Sequence, residues 1–519
     1  MRESTTLTIE GALALAVSRQ QSGRLTESQS VLESILAAQP GHPDAVHLLG
    51  VIAMQQGKAS EAVHLIQRAI SLSPGTSTYH SNLGTVLQAC GRHEEAISSF
   101  ARACDLEPAF PLAHKNLGSL YADLGRHQEA AEAYRRAIEA DPQYAEAHNN
   151  LGIALRQLGR HEESLAAYRS ALTIRPAYIK AYLNLGVTYS DLGRFEDAET
   201  AYRKALELKP DLAAGWNNLG NALRNRGLLT EAEKCLRRAL ELQPGLASAH
   251  NNLGNALGDL DQVDGAIAAY GQAIHVDPTF VDAFRNLGLM LARRGRMDEA
   301  IEQFRTVLRL QEWPMGELLV QSLCPIVFDN NDAILEFRKN LHSTLLRYAT
   351  KDLVVDTRDI LSLAACPSFN LPFHGEDDRP LKETFARVFT RFFSSQSPKL
   401  VRKPQRPKIG FVVTHGHAGI FMRSLAGIIE RLDHNRFELV IACSPAASST
   451  VRKSLPEDVS ILVLPGLFSA MIDTLREARC DLLYFWEVAV DWVSYFLPYH
   501  RLAPVQCTSW GIQVTSGMP

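Results

Sequence analysis

The sequence predicts a chain in two parts, an α-solenoid of helical-hairpin repeats followed by an α/β lobe built on a parallel sheet. Three observations carry that prediction. Glycine recurs at 50, 84, 118, 152, 186, 220, 254 and 288, a step of 34 residues. A second series runs in phase at 23, 57, 91, 125, 159, 193, 227 and 295, with Asp261 where its remaining member falls. After Lys408 this period gives way to short apolar runs alternating with helical stretches, the pattern of parallel strands joined by crossover helices.

At 519 residues the chain exceeds a single compact domain. A formal net charge of −4 argues against broad binding to nucleic acid or anionic membranes. The basic run "KLVRKPQRPK" (399–408) is broken by proline and reads as a solvated linker. The eight cysteines lie far apart without a CxxC pair, which suits reduced thiols and offers no zinc spacing, so no metal is expected. Acidic residues and no cationic n-region precede the apolar "GALALAV" (11–17), which therefore reads as a helix rather than a signal peptide. No segment reaches the length of a membrane span, and the expected compartment is the cytoplasm.

Within each repeat, small residues follow the two glycines: Ala62, Ala96, Ala130, Ala198, Ala232, Ala266 and Ala300, with Ser164 in the gap. Proline closes the units at 40, 74, 108, 142, 176, 210, 244 and 278. The first glycine and the small residues allow two antiparallel helices to approach closely. The second glycine ends the first helix, and proline cannot continue the second. This pattern resembles the tetratricopeptide repeat. Nine units fit from about Thr8 to Pro314, the first degenerate with Ala16 in the glycine place. Each unit buries its apolar face only against its neighbours, so the resemblance implies a superhelical stack with a concave groove, and its surfaces also leave room for oligomerisation.

"HNNLGNAL" (250–257) places two asparagines in a helix interior, where Asn is a poor residue. Asn82, Asn116, Asn150, Asn184, Asn218, Asn252 and Asn286 recur at the same step, two residues before each glycine. In tetratricopeptide solenoids this first helix lines the concave side. A row of carboxamides there either solvates the inner face or grips a guest polypeptide by its main chain. Helices pack about 8–10 Å apart and an extended chain advances about 3.3–3.6 Å per residue, so one Asn meets roughly every third guest residue. His80, His114, His148 and His250 share one repeat position with Tyr182, Trp216 and Phe284, which marks an aromatic packing place rather than a set of ligands.

The period stops near residue 314, and a helical connector with the basic linker fills 315–407, including the amphipathic "AILEFRKNLHSTLLRYA" (333–349). The turn "FNLPFHGEDDR" (369–379) leads into another amphipathic helix, with Asp377 or Asp378 as its cap. From 408 to 519, strands are expected at 408–413, 437–443, 459–464, 481–486 and 505–510. Helices are expected at about 421–432, 447–455, 467–478 and 490–499. This is a Rossmann-like arrangement, which binds ligands beyond the carboxyl ends of its strands. "THGHAGIF" (414–421), "EVAVD" (487–491) and "GIQVTSG" (511–517) lie at those ends; no GxGxxG follows the first strand and no GK[ST] occurs.

With the repeats ahead of "RLAPVQCTSWGIQVTSG" (501–517), the chain resembles the protein O-linked N-acetylglucosamine transferase family, including its Spindly-like branch. The resemblance implies a two-lobed inverting glycosyltransferase of GT-B architecture. Such an enzyme moves a sugar from a UDP-sugar to Ser or Thr hydroxyls of a polypeptide held by the repeats, with no metal or other cofactor. It places His417, or alternatively His415, and Glu487 in the catalytic cleft, and Gln506, Thr515, Ser516 and Gly517 at the substrate. His417, His415 and Glu487 also have a plainer reading, as helix caps. Departures from the family pattern are "HGHAG" for its His-Pro loop, Glu487 in the loop after the fourth strand, and Gln513-Val514 for Pro-Gly. The family's second lobe, with most UDP contacts, has no counterpart before Pro519, so these 519 residues alone are expected to be inactive as a fragment. The competing reading is a peptide-binding scaffold whose lobe is degenerate and non-catalytic.

Overall fold

The computed structural model describes residues 8–323, 328, 330–351, 379–390, 406–413, 418–453, 455–465, 468–485 and 502–508. The chain forms two compact units, Met1–Leu192 with Glu207–Lys209 and Gly193–Leu206 with Pro210–Pro519.

The period of 34 residues becomes eighteen helices, two to each of nine repeats. The first three are α1 (Ile9–Gln21) with α2 (Leu25–Ala38), α3 (Pro43–Gln55) with α4 (Ala59–Leu72), and α5 (Ser77–Ala89) with α6 (His93–Leu106). Next come α7 (Pro111–Asp123) with α8 (His127–Ala140), α9 (Ala145–Gln157) with α10 (His161–Ile174), and α11 (Ile179–Asp191) with α12 (Phe195–Leu208). The last three are α13 (Ala213–Asn225) with α14 (Leu229–Leu242), α15 (Ala247–Asp259) with α16 (Val263–Val276), and α17 (Val281–Arg293) with α18 (Met297–Leu310). The second helices of the first eight repeats each end two residues before a proline.

The turn between paired helices needs a left-handed residue, and the second glycine series supplies it; Gly125, for example, has φ +73°. Asp261 takes the same place at φ +64°, and its carboxylate accepts from Arg293 at 2.9 Å. The first glycine series answers a different demand. A Cβ added at Gly152 would lie 2.5 Å from the ring of Tyr168, and one at Gly84 would lie 2.8 Å from Phe100. These rings, 16 residues downstream on the second helix, are fully buried. Where Ser replaces Ala, it keeps the close approach and finds a backbone partner: Ser164 Oγ donates to the carbonyl of Gly152 at 2.7 Å, and Ser28 Oγ to that of Ala16 at 2.6 Å.

Within the first unit, the first helices of successive repeats touch one another, α3 on α5, α5 on α7, α7 on α9 and α9 on α11. Each second helix instead packs on the first helix of the next repeat. The tighter row is the inner side of a curved stack, so the first helices of this unit line its concave face.

In the second unit, α13 to α18 lead to α19 (Gly316–Ser322), α20 (Asn331–Thr350) and α21 (Arg379–Thr390). Asn330 caps α20 by accepting from the Ala333 amide at 2.8 Å. The candidate caps Asp377 and Asp378 lie outside the described residues. Then come β1 (Lys408–Val413), α22 (Ala418–Arg431), β2 (Glu438–Cys443), α23 (Pro445–Lys453), β3 (Ser460–Val463), α24 (Phe468–Glu477), β4 (Leu482–Phe485) and β5 (Val505–Thr508). The strands form one sheet in the order β3-β2-β1-β4-β5, and every neighbouring pair is parallel.

Alternation along the strands splits the core into two layers. Val412, Ala442, Leu483 and Phe485 face a cluster that includes Leu475 of α24 and continues to Phe385, Leu341 and Phe304. Phe411, Val413, Ile441 and Cys443 face Phe421, Ile429 and Val451 of α22 and α23. Both faces are covered, which is why these strands read as nearly continuous apolar runs. The expected helix at 490–499 lies outside the described residues.

Candidate functional site

The seven repeated asparagines all lie on first helices and are all half-buried. They do not stand as separate amides. Asn184 Nδ2 donates to Asn149 Oδ1 at 3.0 Å, Asn252 Nδ2 to Asn217 Oδ1 at 2.9 Å, and Asn286 Nδ2 to Asn251 Oδ1 at 2.9 Å. Asn82 Nδ2 donates in the same way to His47 Nε2 at 2.9 Å. Each bond reaches back 35 residues, from one first helix to the preceding one, and its acceptor belongs to a buried residue. Asn150 and Asn218 accept from Asn149 and Asn217 at 3.1 and 3.2 Å, and Asn116 Oδ1 accepts from Lys115 at 3.1 Å. The carboxamides therefore tie successive first helices together while remaining partly open to the inner face.

Two of the seven, Asn150 and Asn184, line an open groove of about 760 Å³ in the first unit. Its floor is Ile153 of α9 and Leu183 of α11, and Asn149 adds a third carboxamide. Lys115 of α7 and Lys180 of α11 stand on either side of α9. The loop before α11 forms a rim through Arg175 and Tyr178. The Arg175 guanidinium lies 4.8 Å from the Tyr178 ring centroid and 3.7 Å from the Glu146 carboxylate. Burial, with the Glu146 charge beside it, holds the Tyr178 phenol above its ordinary pKa, so it stays a neutral donor at pH 7.

The histidine position is more than packing. The Nε2 atoms of His80, His114, His148 and His250 lie 2.9–3.2 Å from the carbonyls of Pro74, Pro108, Pro142 and Pro244. Trp216 Nε1 donates to the Pro210 carbonyl at 2.8 Å. A ring N–H thus closes the turn that each proline opens, six residues earlier. The readable signal was that His and Trp both offer a ring N–H. Tyr182 and Phe284 occupy the position without one.

In the lobe, Gln506 lies on β5 at the register position of Leu483. His417, His415, Glu487, Thr515, Ser516 and Gly517 lie outside the described residues. A His–Asp pair is present elsewhere, His434 Nδ1 with Asp458 at 2.5 Å. It sits just before β3, at the amino ends of the strands, the wrong side of a parallel sheet for ligand chemistry. Among the described residues no group of three or more His, Cys, Asp or Glu is placed to hold a metal ion. None of the described helices is long and apolar enough to cross a membrane.

Tetratricopeptide-repeat family models match residues 20–83 and 281–312, and the model of the cilia and flagella-associated protein 70 C-terminal domain matches residues 78–283. The chain therefore carries tetratricopeptide repeats, and all three matched segments lie within them. No curated protein matches the chain. Among solved structures it is similar to MamA, at 27% identity over 31% of this chain and 94% of that one, with a TM-score of 0.30. It is also similar to YrrB, described as a TPR protein with an unusual peptide-binding site, at 26% identity over 36% and 97%, TM-score 0.29. The APC/C hetero-tetramer Cut9-Hcn1 gives 18% identity over 58% and 59%, TM-score 0.40.

Proposed function

We propose that the repeats are a binding scaffold for an extended polypeptide, held along the first helices of the first unit. The observation that carries this reading is the groove in which Asn149, Asn150 and Asn184 converge over an apolar floor. Carboxamides offer a donor and an acceptor to a peptide unit regardless of the guest side chain, and Ile153 and Leu183 receive whatever apolar side chain falls between. Replacing Asn150 and Asn184 together with alanine is expected to lower affinity for groove-binding peptides about tenfold or more. Asn286→Ala serves as the control. It removes the same kind of inter-helix bond far along the array and is expected to leave affinity unchanged. Anisotropy titration of labelled peptides decides, and equal affinities for wild type and the Asn150→Ala/Asn184→Ala variant would remove the carboxamides from binding.

A second reading, transfer of a sugar from a UDP-sugar to a Ser or Thr hydroxyl of that polypeptide, is favoured by the sheet. Its strands run in the order β3-β2-β1-β4-β5, all parallel with helices on both faces, an order compatible with a doubly wound fold, and it follows the repeats. In this reading His417, His415 or Glu487 accepts the acceptor's proton beyond the strand ends, and Gln506, Thr515, Ser516 and Gly517 hold substrate. Incubating the full gene product with UDP-sugars and a bound Ser/Thr peptide tests it. Labelling that His417→Ala lowers about a hundredfold or more supports the reading, and a wild type that labels no Ser/Thr peptide ends it.

A further inference from the structure

We propose that the occupant of the groove between α7, α9 and α11 is an acidic polypeptide segment, its carboxylates met by Lys115 and Lys180 and its intervening apolar side chains by Ile153 and Leu183. This rests on the reading of the repeats as peptide-binding and adds the chemical class of the guest. The groove carries three cations, Lys115, Arg175 and Lys180, against one carboxylate, Glu146. Glu146 lies within 3.7 Å of Arg175, so that pair is internally balanced. Lys180 is exposed, and among the described residues no carboxylate lies within ion-pair distance of Lys180 or Lys115. The contact of Lys115 Nζ with Asn116 Oδ1 satisfies one proton and leaves the charge uncompensated. The positive sign is local, since the chain as a whole carries −4.

Spacing sharpens the class. The two lysines stand on helices separated by α9, two helix spacings or roughly 16–20 Å. An extended chain covers that distance in about five or six residues. The guest that answers both charges therefore carries acidic residues about five apart, with apolar side chains between them over Ile153 and Leu183. A polynucleotide would also answer the cations, but it has no use for an apolar floor or for carboxamides spaced to meet peptide units.

Anisotropy titration of the full chain tests this with dye-labelled, end-capped peptides of about twelve residues, two glutamates about five apart among leucine and alanine. Matched peptides carry glutamine or lysine in place of glutamate, and a single-stranded oligonucleotide is the fourth probe. The expected result is binding of the glutamate peptide about tenfold or more tighter than its glutamine match, weakening steeply with salt. Lys115→Gln/Lys180→Gln abolishes that difference, and Lys115→Glu/Lys180→Glu turns the preference towards the lysine peptide. Should the variants melt early, the salt dependence of the wild type still decides. Equal binding of glutamate and glutamine peptides would overturn the acidic class while leaving peptide binding intact, as would tighter binding of the oligonucleotide than of any peptide. Failure of every peptide to bind would remove both.

Discussion

Gly152→Ala is expected to destabilise the fifth repeat by about 1–3 kcal/mol, although alanine is the better helix former. The added Cβ would sit 2.5 Å from Tyr168 Cε1 and 2.8 Å from its Cδ1 and Cζ. That ring is fully buried and cannot swing aside, so either α9 moves away from α10 or the ring leaves its rotamer. The chain contains its own control. In the first repeat the glycine place holds Ala16, and its partner 16 residues on is Leu32; both are fully buried. A flexible aliphatic partner accommodates the methyl group that a tyrosine ring does not. Gly152→Ala/Tyr168→Leu is therefore expected to cost less than the sum of the two single changes, with a coupling of about 0.5–3 kcal/mol. Hydrogen exchange of the amides in α9 and α10 is the measurement, because a repeat array does not unfold as one two-state body. Additive costs would show that the contact is not the constraint.

The second large effect is a loss of stability in acid centred on His47. Its ring is 6% exposed and stacks on Tyr79 with centroids 4.4 Å apart. Its Nε2 accepts from Asn82, which requires the neutral imidazole. Burial pushes its pKa down to about 4, against an opposing pull from the Asp44 carboxylate, whose oxygen accepts from the Tyr79 hydroxyl. The unfolded chain takes up that proton near pH 6.5. Between pH 6.5 and 4 the unfolded state therefore binds more protons than the folded one, and stability falls as pH falls through that window. The full loss is on the order of 3 kcal/mol, complete below about pH 4. His47→Gln keeps an acceptor for Asn82 and removes the titration. Exchange of amides in α3 to α5 is expected to accelerate from pH 6.5 to 4, beyond the intrinsic chemical rate, in wild type and much less in the variant. Equal acceleration in both would exclude His47.

The array was legible in the sequence because each repeat must solve the same packing problem, and the solution is written in glycine, alanine and proline at fixed spacing. The strands were legible because a sheet covered on both faces needs continuous apolar runs. What the pattern did not yield was the partner of each repeated asparagine. The doubled residues at 149–150, 217–218 and 251–252 held that information. The first of each pair is buried and accepts from the repeated asparagine of the next unit, Asn184, Asn252 or Asn286. A search confined to single positions at a step of 34 misses a bond that spans 35. The groove was hidden for a similar reason. Lys115, Asn149 and Leu183 share one repeat position, so the feature that distinguishes this stretch is variation within the period rather than the period itself.

The most direct test of the account is to map where a bound peptide lies. A groove-binding peptide carrying a photoreactive phenylalanine analogue at its central apolar residue would be irradiated in complex with the full chain, and the adducts located by mass spectrometry. Adducts on α9 and α11, around Ile153 and Leu183 and lost when unlabelled peptide competes, are the predicted result. Competable adducts confined to the second helices or to residues 408–508 would contradict it.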